Sequence, residues 1–190
     1  MAEGWTETRD GPIVVASYAA PPMSYFTDAA IGELERMISA DFRIAQRGDF
    51  RIGLPEVRLG ISPGGSGLTR LTKIVGRARA LDLVLRARVV TPEDALALGM
   101  VTELADDALG AAVRLARELA ALPTLAVALA KKAIRQGADL PMDLALTLET
   151  EASFRVKQSP ETMSAMRAYL DQPLESRRAY LEGETEADRA

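Results

Sequence analysis

The run Ile52-Gly53-Leu54-Pro55-Glu56-Val57-Arg58-Leu59-Gly60-Ile61-Ser62-Pro63-Gly64-Gly65-Ser66-Gly67 decides how this chain is read. It holds a single carboxylate, Glu56, in a stiff and mainly apolar frame. Pro55 locks its own φ and confines Leu54 to extended conformations, so the backbone entering Glu56 has little freedom. Leu54, Val57 and Leu59 supply apolar walls. Such surroundings disfavour the ionised form of a carboxyl group and suit it to proton exchange near neutral pH. The competing reading is that Glu56 is a surface turn residue or a salt-bridge partner of Arg58, because most acidic side chains are exposed. Further along, the glycines at 64, 65 and 67 lead into a helix, where backbone N–H groups can line an anion or carbonyl site. No Gly-Lys-Ser/Thr follows, so this is no P-loop, and Arg70 stands where a dinucleotide fingerprint needs glycine.

Working outward, the chain before this run is extended and the chain after it is helical. Ile13 to Tyr18 reads as a strand ended by Pro21-Pro22, and a helical face begins after Thr27 with Ile31, Leu34, Met37 and Ile38. Asp41 to Ala45 and Phe50 to Ile52 alternate like strands. Leu68 to Val75 predicts a helix stopped by Gly76, and Ala78 to Leu85 the next. Thr91-Pro92-Glu93-Asp94 is a helix start, with Thr as cap and Pro in the first turn, and Met100-Val101-Thr102 reads as extended. Leu109 to Leu119 and Thr124 to Gln136 are amphipathic. From Pro141 onward, Leu144, Leu146, Leu148, Phe154 and Val156 spread round more than one face, so that helix is expected to be covered on two sides. Ser159-Pro160-Glu161 opens a last clear helix carrying Met163, Met166 and Leu170.

Composition narrows the chemistry. With no Cys and no His in 190 residues, thiol nucleophiles, Ser-His-Asp triads and most zinc sites are excluded, leaving acid/base work to carboxylates, Lys or Tyr. The net charge of -4 argues against nucleic acid as a partner. The most apolar stretch, Leu119 to Ala130, is broken by Pro123 and is far short of the ~20 residues that span a bilayer. No secretory signal is visible at Met1 to Trp5, so a cytoplasmic location without membrane contact is the expectation.

The motifs converge on one family. Asp41-Phe42-Arg43-Ile44, Gly53-Leu54-Pro55-Glu56-Val57-Arg58-Leu59-Gly60 and Pro63-Gly64-Gly65-Ser66-Gly67 closely resemble the crotonase superfamily of enoyl-CoA hydratases and isomerases. The likeness continues through Val75-Gly76-Arg77-Ala78 and Thr91 to Val101, reaching Ala168-Tyr169-Leu170, and so covers roughly residues 40–170. The resemblance implies an α/β fold: a ββα spiral, here shortened in its N-terminal half between 39 and 40, with a C-terminal helical oligomerisation region. The corresponding division is 1–140 for the core and 141–190 for the helices. It implies an acyl-CoA substrate, no cofactor other than coenzyme A as part of that substrate, and a homo-oligomer, trimer or hexamer. Glu56 matches the family's proton-transfer carboxylate. Pro22 and Met23 match a loop on the coenzyme A side, and Pro63 and Gly64 the substrate-lining loop.

Between its first helix and the Asp-Phe-Arg-Ile strand, the family carries both oxyanion-hole segments and the second catalytic carboxylate. Here Ser39 is followed at once by Ala40, and no Gly-Gly-Gly occurs. Losing one oxyanion donor costs about 2.7–4 kcal/mol in the transition state, so loss of both weighs heavily against hydratase turnover. The alternatives are therefore a catalytically inactive CoA-binding or subunit-interaction protein, or a deletion product of a crotonase gene.

Overall fold

A computed structural model describes the backbone of residues 4–10 and 13–19 and the whole of residues 40–183. The helix expected after Thr27, the Pro21-Pro22 loop and the tail beyond 183 lie outside the described residues. The chain divides into two compact units, Met1–Ala116 and Arg117–Ala190. The boundary expected at 140/141 coincides with a short turn inside the second unit, between two helices that pack on each other.

In the first unit, β1 (Gly4–Asp10) and β2 (Ile13–Ala19) pair antiparallel, with Asp10 opposite Ile13. Two further pairs join distant parts of the chain. β3 (Ile44–Gln46) runs parallel to β6 (Glu103–Ala105), and β4 (Ile52–Gly53) pairs antiparallel with β5 (Val89–Val90). Between these strands lie α1 (Gly67–Val75), α2 (Arg77–Leu85) and α3 (Pro92–Ala97). The first turns Gly67, Leu71 and Val75 inward at intervals of four, and the second buries Ala80, Leu83 and Val84. These side chains share a core with Leu54, Val90, Ala95 and Val101. Leu83 is only 3% exposed, and burying such a side chain contributes about 1.5–3 kcal/mol.

Helix ends follow the sequence signals. Thr91 Oγ1 accepts from Asp94 N at 3.1 Å, and Gly76, at φ 80°, separates α1 from α2. The extended segment expected at Met100–Thr102 is instead displaced to Glu103–Ala105. Met100 N and Val101 N both donate to Ala95 O, which folds that stretch back onto α3. Arg43 stitches the same turn to β3: its Nε donates to Met100 O at 2.7 Å, and burial lowers its pKa from the usual guanidinium value.

α4 (Ala108–Ala120) leads to the second unit, which holds α5 (Thr124–Gly137), α6 (Met142–Lys157), α7 (Pro160–Leu170) and α8 (Arg177–Glu182). α5 packs along α6, and Ser159 Oγ caps α7 by accepting from Thr162 N at 3.1 Å. Among the described residues, the cover expected on two sides of α6 is found on one side only. Ala145, Leu148, Ala152 and Val156 are half-buried along one face, while Leu144, Leu146 and Phe154 are more than half exposed. Met163, Met166 and Leu170 on α7 are exposed as well. No described helix is long and apolar enough to cross a membrane.

Candidate active site

Glu56 opens a 3-10 turn, Glu56–Leu59, that begins directly after β4 and Leu54-Pro55. The turn is held from both ends. Gly53 lies so close to β5 that a Cβ there would come within 2.7 Å of Arg88 O and 3.1 Å of Val89 Cα. Only glycine lets the two backbones approach in this way. Gly60, at φ 74°, closes the turn through its N–H to Val57 O at 3.1 Å, and Ile61 N donates to Glu56 O at 3.2 Å. Val57 packs on the core and Leu54 is buried in it, whereas Arg58 and Leu59 point to solvent.

This leaves Glu56 half-buried, with its Oε2 shielded from solvent and without a hydrogen-bond partner. Among the described residues no ion pair reaches it, so the reading of Glu56 as the partner of Arg58 is set aside. A buried, unpartnered carboxylate oxygen is costly, on the order of 1–3 kcal/mol, and such atoms are uncommon in folded proteins.

The second motif sits close by through Leu54. A Cβ on Gly67 would meet Leu54 Cδ1 at 3.3 Å and Pro63 Cβ at 3.9 Å. The start of α1 thus rests on Leu54, two residues before Glu56, and lies against the buried Pro63. Gly64 is exposed, with open space where a Cβ would be, and its carbonyl accepts from Gly67 N at 2.9 Å. Ser66 holds φ 58°, a conformation that L side chains rarely adopt, and its Oγ accepts from Arg70 Nε at 2.9 Å. That contact turns the Arg70 guanidinium back onto the loop. Pro22 and Met23 lie outside the described residues. Glu56 thus follows Leu54 and Pro55 in the chain, and the loop bearing Pro63 and Gly64 leads to Gly67, which packs on Leu54.

A charged cluster that the sequence reading missed lies on α2. Asp82 accepts from Arg86 Nη1 at 2.7 Å and also pairs with Arg88. Hydrogen bonds from Arg86 and then Arg88 hold its carboxyl below the usual carboxylate range. The i, i+4 spacing of Asp82 and Arg86 was the available signal. Among the described residues no group of three acidic side chains could hold a metal ion.

Comparison with known proteins follows the same lines. The family model for enoyl-CoA hydratase/isomerase matches residues 3–182. The chain belongs to the enoyl-CoA hydratase/isomerase family. It is 33% identical over 142 residues to the short-chain-enoyl-CoA hydratase of Clostridium acetobutylicum, covering 74% of this chain and 54% of that protein. It is 29% identical over 162 residues to the mitochondrial methylglutaconyl-CoA hydratase of Rattus norvegicus, covering 82% and 51%. The enoyl-CoA hydratase structure from Thermoplasma volcanium superposes with a TM-score of 0.65 at 32% identity, covering 72% of this chain and 54% of that one. The chain thus spans about half the length of these relatives. The superposition upholds the α/β fold of crotonase type, shortened, with C-terminal helices.

Proposed function

We propose that this protein acts on acyl-CoA thioesters, with Glu56 exchanging a proton with the carbon skeleton of the acyl group next to the thioester. The observation that carries this reading is the shielded, unpartnered Oε2 of Glu56, at the head of the 3-10 turn that follows β4. Proton transfer at carbon needs a carboxylate that is desolvated, oriented and not already engaged. Pro63 and Gly64, and Pro22 and Met23 on the coenzyme A side, complete the proposed binding residues. Coenzyme A enters only as part of the substrate. A cytoplasmic setting and a place in fatty-acid metabolism belong to the same reading, as does a homo-oligomer of trimeric or hexameric form. The exposed apolar side chains of α6 and α7, Leu144, Phe154 and Met166 among them, support self-association.

The test is the loss of enoyl-CoA absorbance with purified protein, run beside Glu56→Gln. Turnover that falls by 10²–10⁴-fold in the variant, the usual size of an acid/base contribution, is the expected result. Acyl-CoA binding by calorimetry with no turnover would leave a binding protein. Neither turnover nor binding would overturn the proposal.

A further inference from the structure

Ser66 stands at the N-cap of α1 but does not cap it. A serine in that position ordinarily has an extended backbone, and its hydroxyl accepts from the second or third amide of the helix. Here Ser66 has φ 58° and ψ 9°, and its side chain makes no cap bond. Gly65 before it is left-handed too, at φ 56°, and Gly67 N donates to Gly64 O at 2.9 Å. Residues 64–67 thus form a mirror-image turn of type I′, which requires positive φ at both central positions. Glycine meets that requirement freely, whereas serine is strained by it. Strain of this kind persists where surrounding contacts over-determine it, and it concentrates at binding sites.

Arg70 supplies the hold. Its Nε donates to Ser66 Oγ at 2.9 Å and its backbone N–H to Ser66 O at 3.0 Å, so one residue grips both oxygens of Ser66. The hydroxyl engaged in this way is the group that an ordinary cap would use. A cation one turn into a helix opposes the helix dipole, so helix stability alone does not account for an arginine here. What depends on the grip is the loop in front of it. If Ser66 relaxed to the extended conformation of a capping serine, the turn would open and the chain between Gly64 and Gly67 would be redirected.

We propose that Arg70 is a positioning residue: it keeps Ser66 left-handed and so holds the loop bearing Pro63 and Gly64 in the form that receives the acyl-CoA thioester. This rests on the proposed contact of Pro63 and Gly64 with the substrate. The bond to Ser66 Oγ is exposed and adds little to overall stability. It acts by deciding between two arrangements of one loop, and binding weakens in proportion to the fraction of chains that leave the competent one.

The test is calorimetric titration of the full chain with butyryl-CoA, a saturated thioester that cannot be hydrated, with amide hydrogen exchange at Gly67 reporting on the turn. Arg70→Met keeps the apolar stem and removes the donors, and Ser66→Ala removes the acceptor while keeping the strain. Each should raise Kd by about threefold or more and speed exchange at Gly67. Adding Ser66→Gly to Arg70→Met should return Kd to within about 1.5-fold of the parent, because glycine keeps the left-handed conformation without a tether. If Arg70→Met does not fold, Ser66→Ala against Ser66→Gly makes the same comparison at an exposed position. A purely structural role for Arg70 would lower the melting temperature and leave Kd unmoved. Parent-like binding by Arg70→Met or Ser66→Ala, or failure of Ser66→Gly to restore binding, would overturn the inference alone. A parent chain that does not bind butyryl-CoA would overturn the contact of Pro63 and Gly64 with substrate, and the inference with it.

Discussion

The carboxylate of Glu161, in the first turn of α7, caps the N-terminus of α5: Thr124 N donates to Glu161 Oε1 at 2.7 Å. Leu125 N reaches the second oxygen at 3.3 Å. α5 has Pro123 in the cap position and no side-chain cap of its own, so an acid 37 residues away fills that role. Negative charge at this end also complements the helix dipole. Glu161→Ala should cost about 1 kcal/mol in denaturant unfolding, and Glu161→Gln about half as much. An unchanged midpoint for the alanine variant would show that the contact contributes nothing.

Two glycines of the candidate site should respond in opposite ways. Gly53→Ala forces a methyl group to within 2.7 Å of Arg88 O, a backbone atom that cannot swing aside. It should destabilise by about 1–3 kcal/mol, the usual cost of overpacking. Gly64→Ala meets open space and should leave the melting temperature within about 2 °C of the parent.

Ser66 is strained at φ 58°, and glycine there is free of that strain. Ser66→Gly should stabilise the protein by about 0.5–1 kcal/mol, after allowance for the exposed hydrogen bond to Arg70, which contributes little. A lower unfolding midpoint would mean that the Arg70 contact outweighs the strain.

Asp82 makes stability depend on acidity. Its folded carboxyl titrates below the ordinary carboxylate range because Arg86 and Arg88 hydrogen-bond to it. A depressed carboxyl contributes stability that is present above its unfolded pKa and lost as pH falls through the folded value. Asp82→Asn should therefore flatten the acid limb of the unfolding profile below about pH 4. A profile parallel to that of the parent chain would count against the ion pair.

Helices and strands differed in how far the sequence disclosed them. α1, α2, α3, α5 and α7 follow local signals, such as the caps at Thr91 and Ser159 and the stop at Gly76, that act within one turn. β3, β4 and β6 are two or three residues long, and their limits are set by partners far along the chain, so alternation could only place them approximately. β5 escaped notice for the same reason. The two-faced pattern of α6 was legible, but among the described residues only one of those faces is half-buried. Glu56 stood out through Pro55 and the motif around it. Its unpartnered oxygen required the surrounding backbone to be in place.

The pairing of β3 with β6 brings Arg43 beside Thr102, 59 residues away. Loops of that length close slowly compared with the nanoseconds to microseconds in which a helical turn forms. The turn bearing Glu56 hangs from β4, whose partner β5 is likewise remote in the chain. In kinetic terms, the helices precede the corner that holds the carboxylate, and that corner is completed in the same late step that closes the core. Denaturant-jump experiments should therefore recover far-ultraviolet ellipticity before ligand binding.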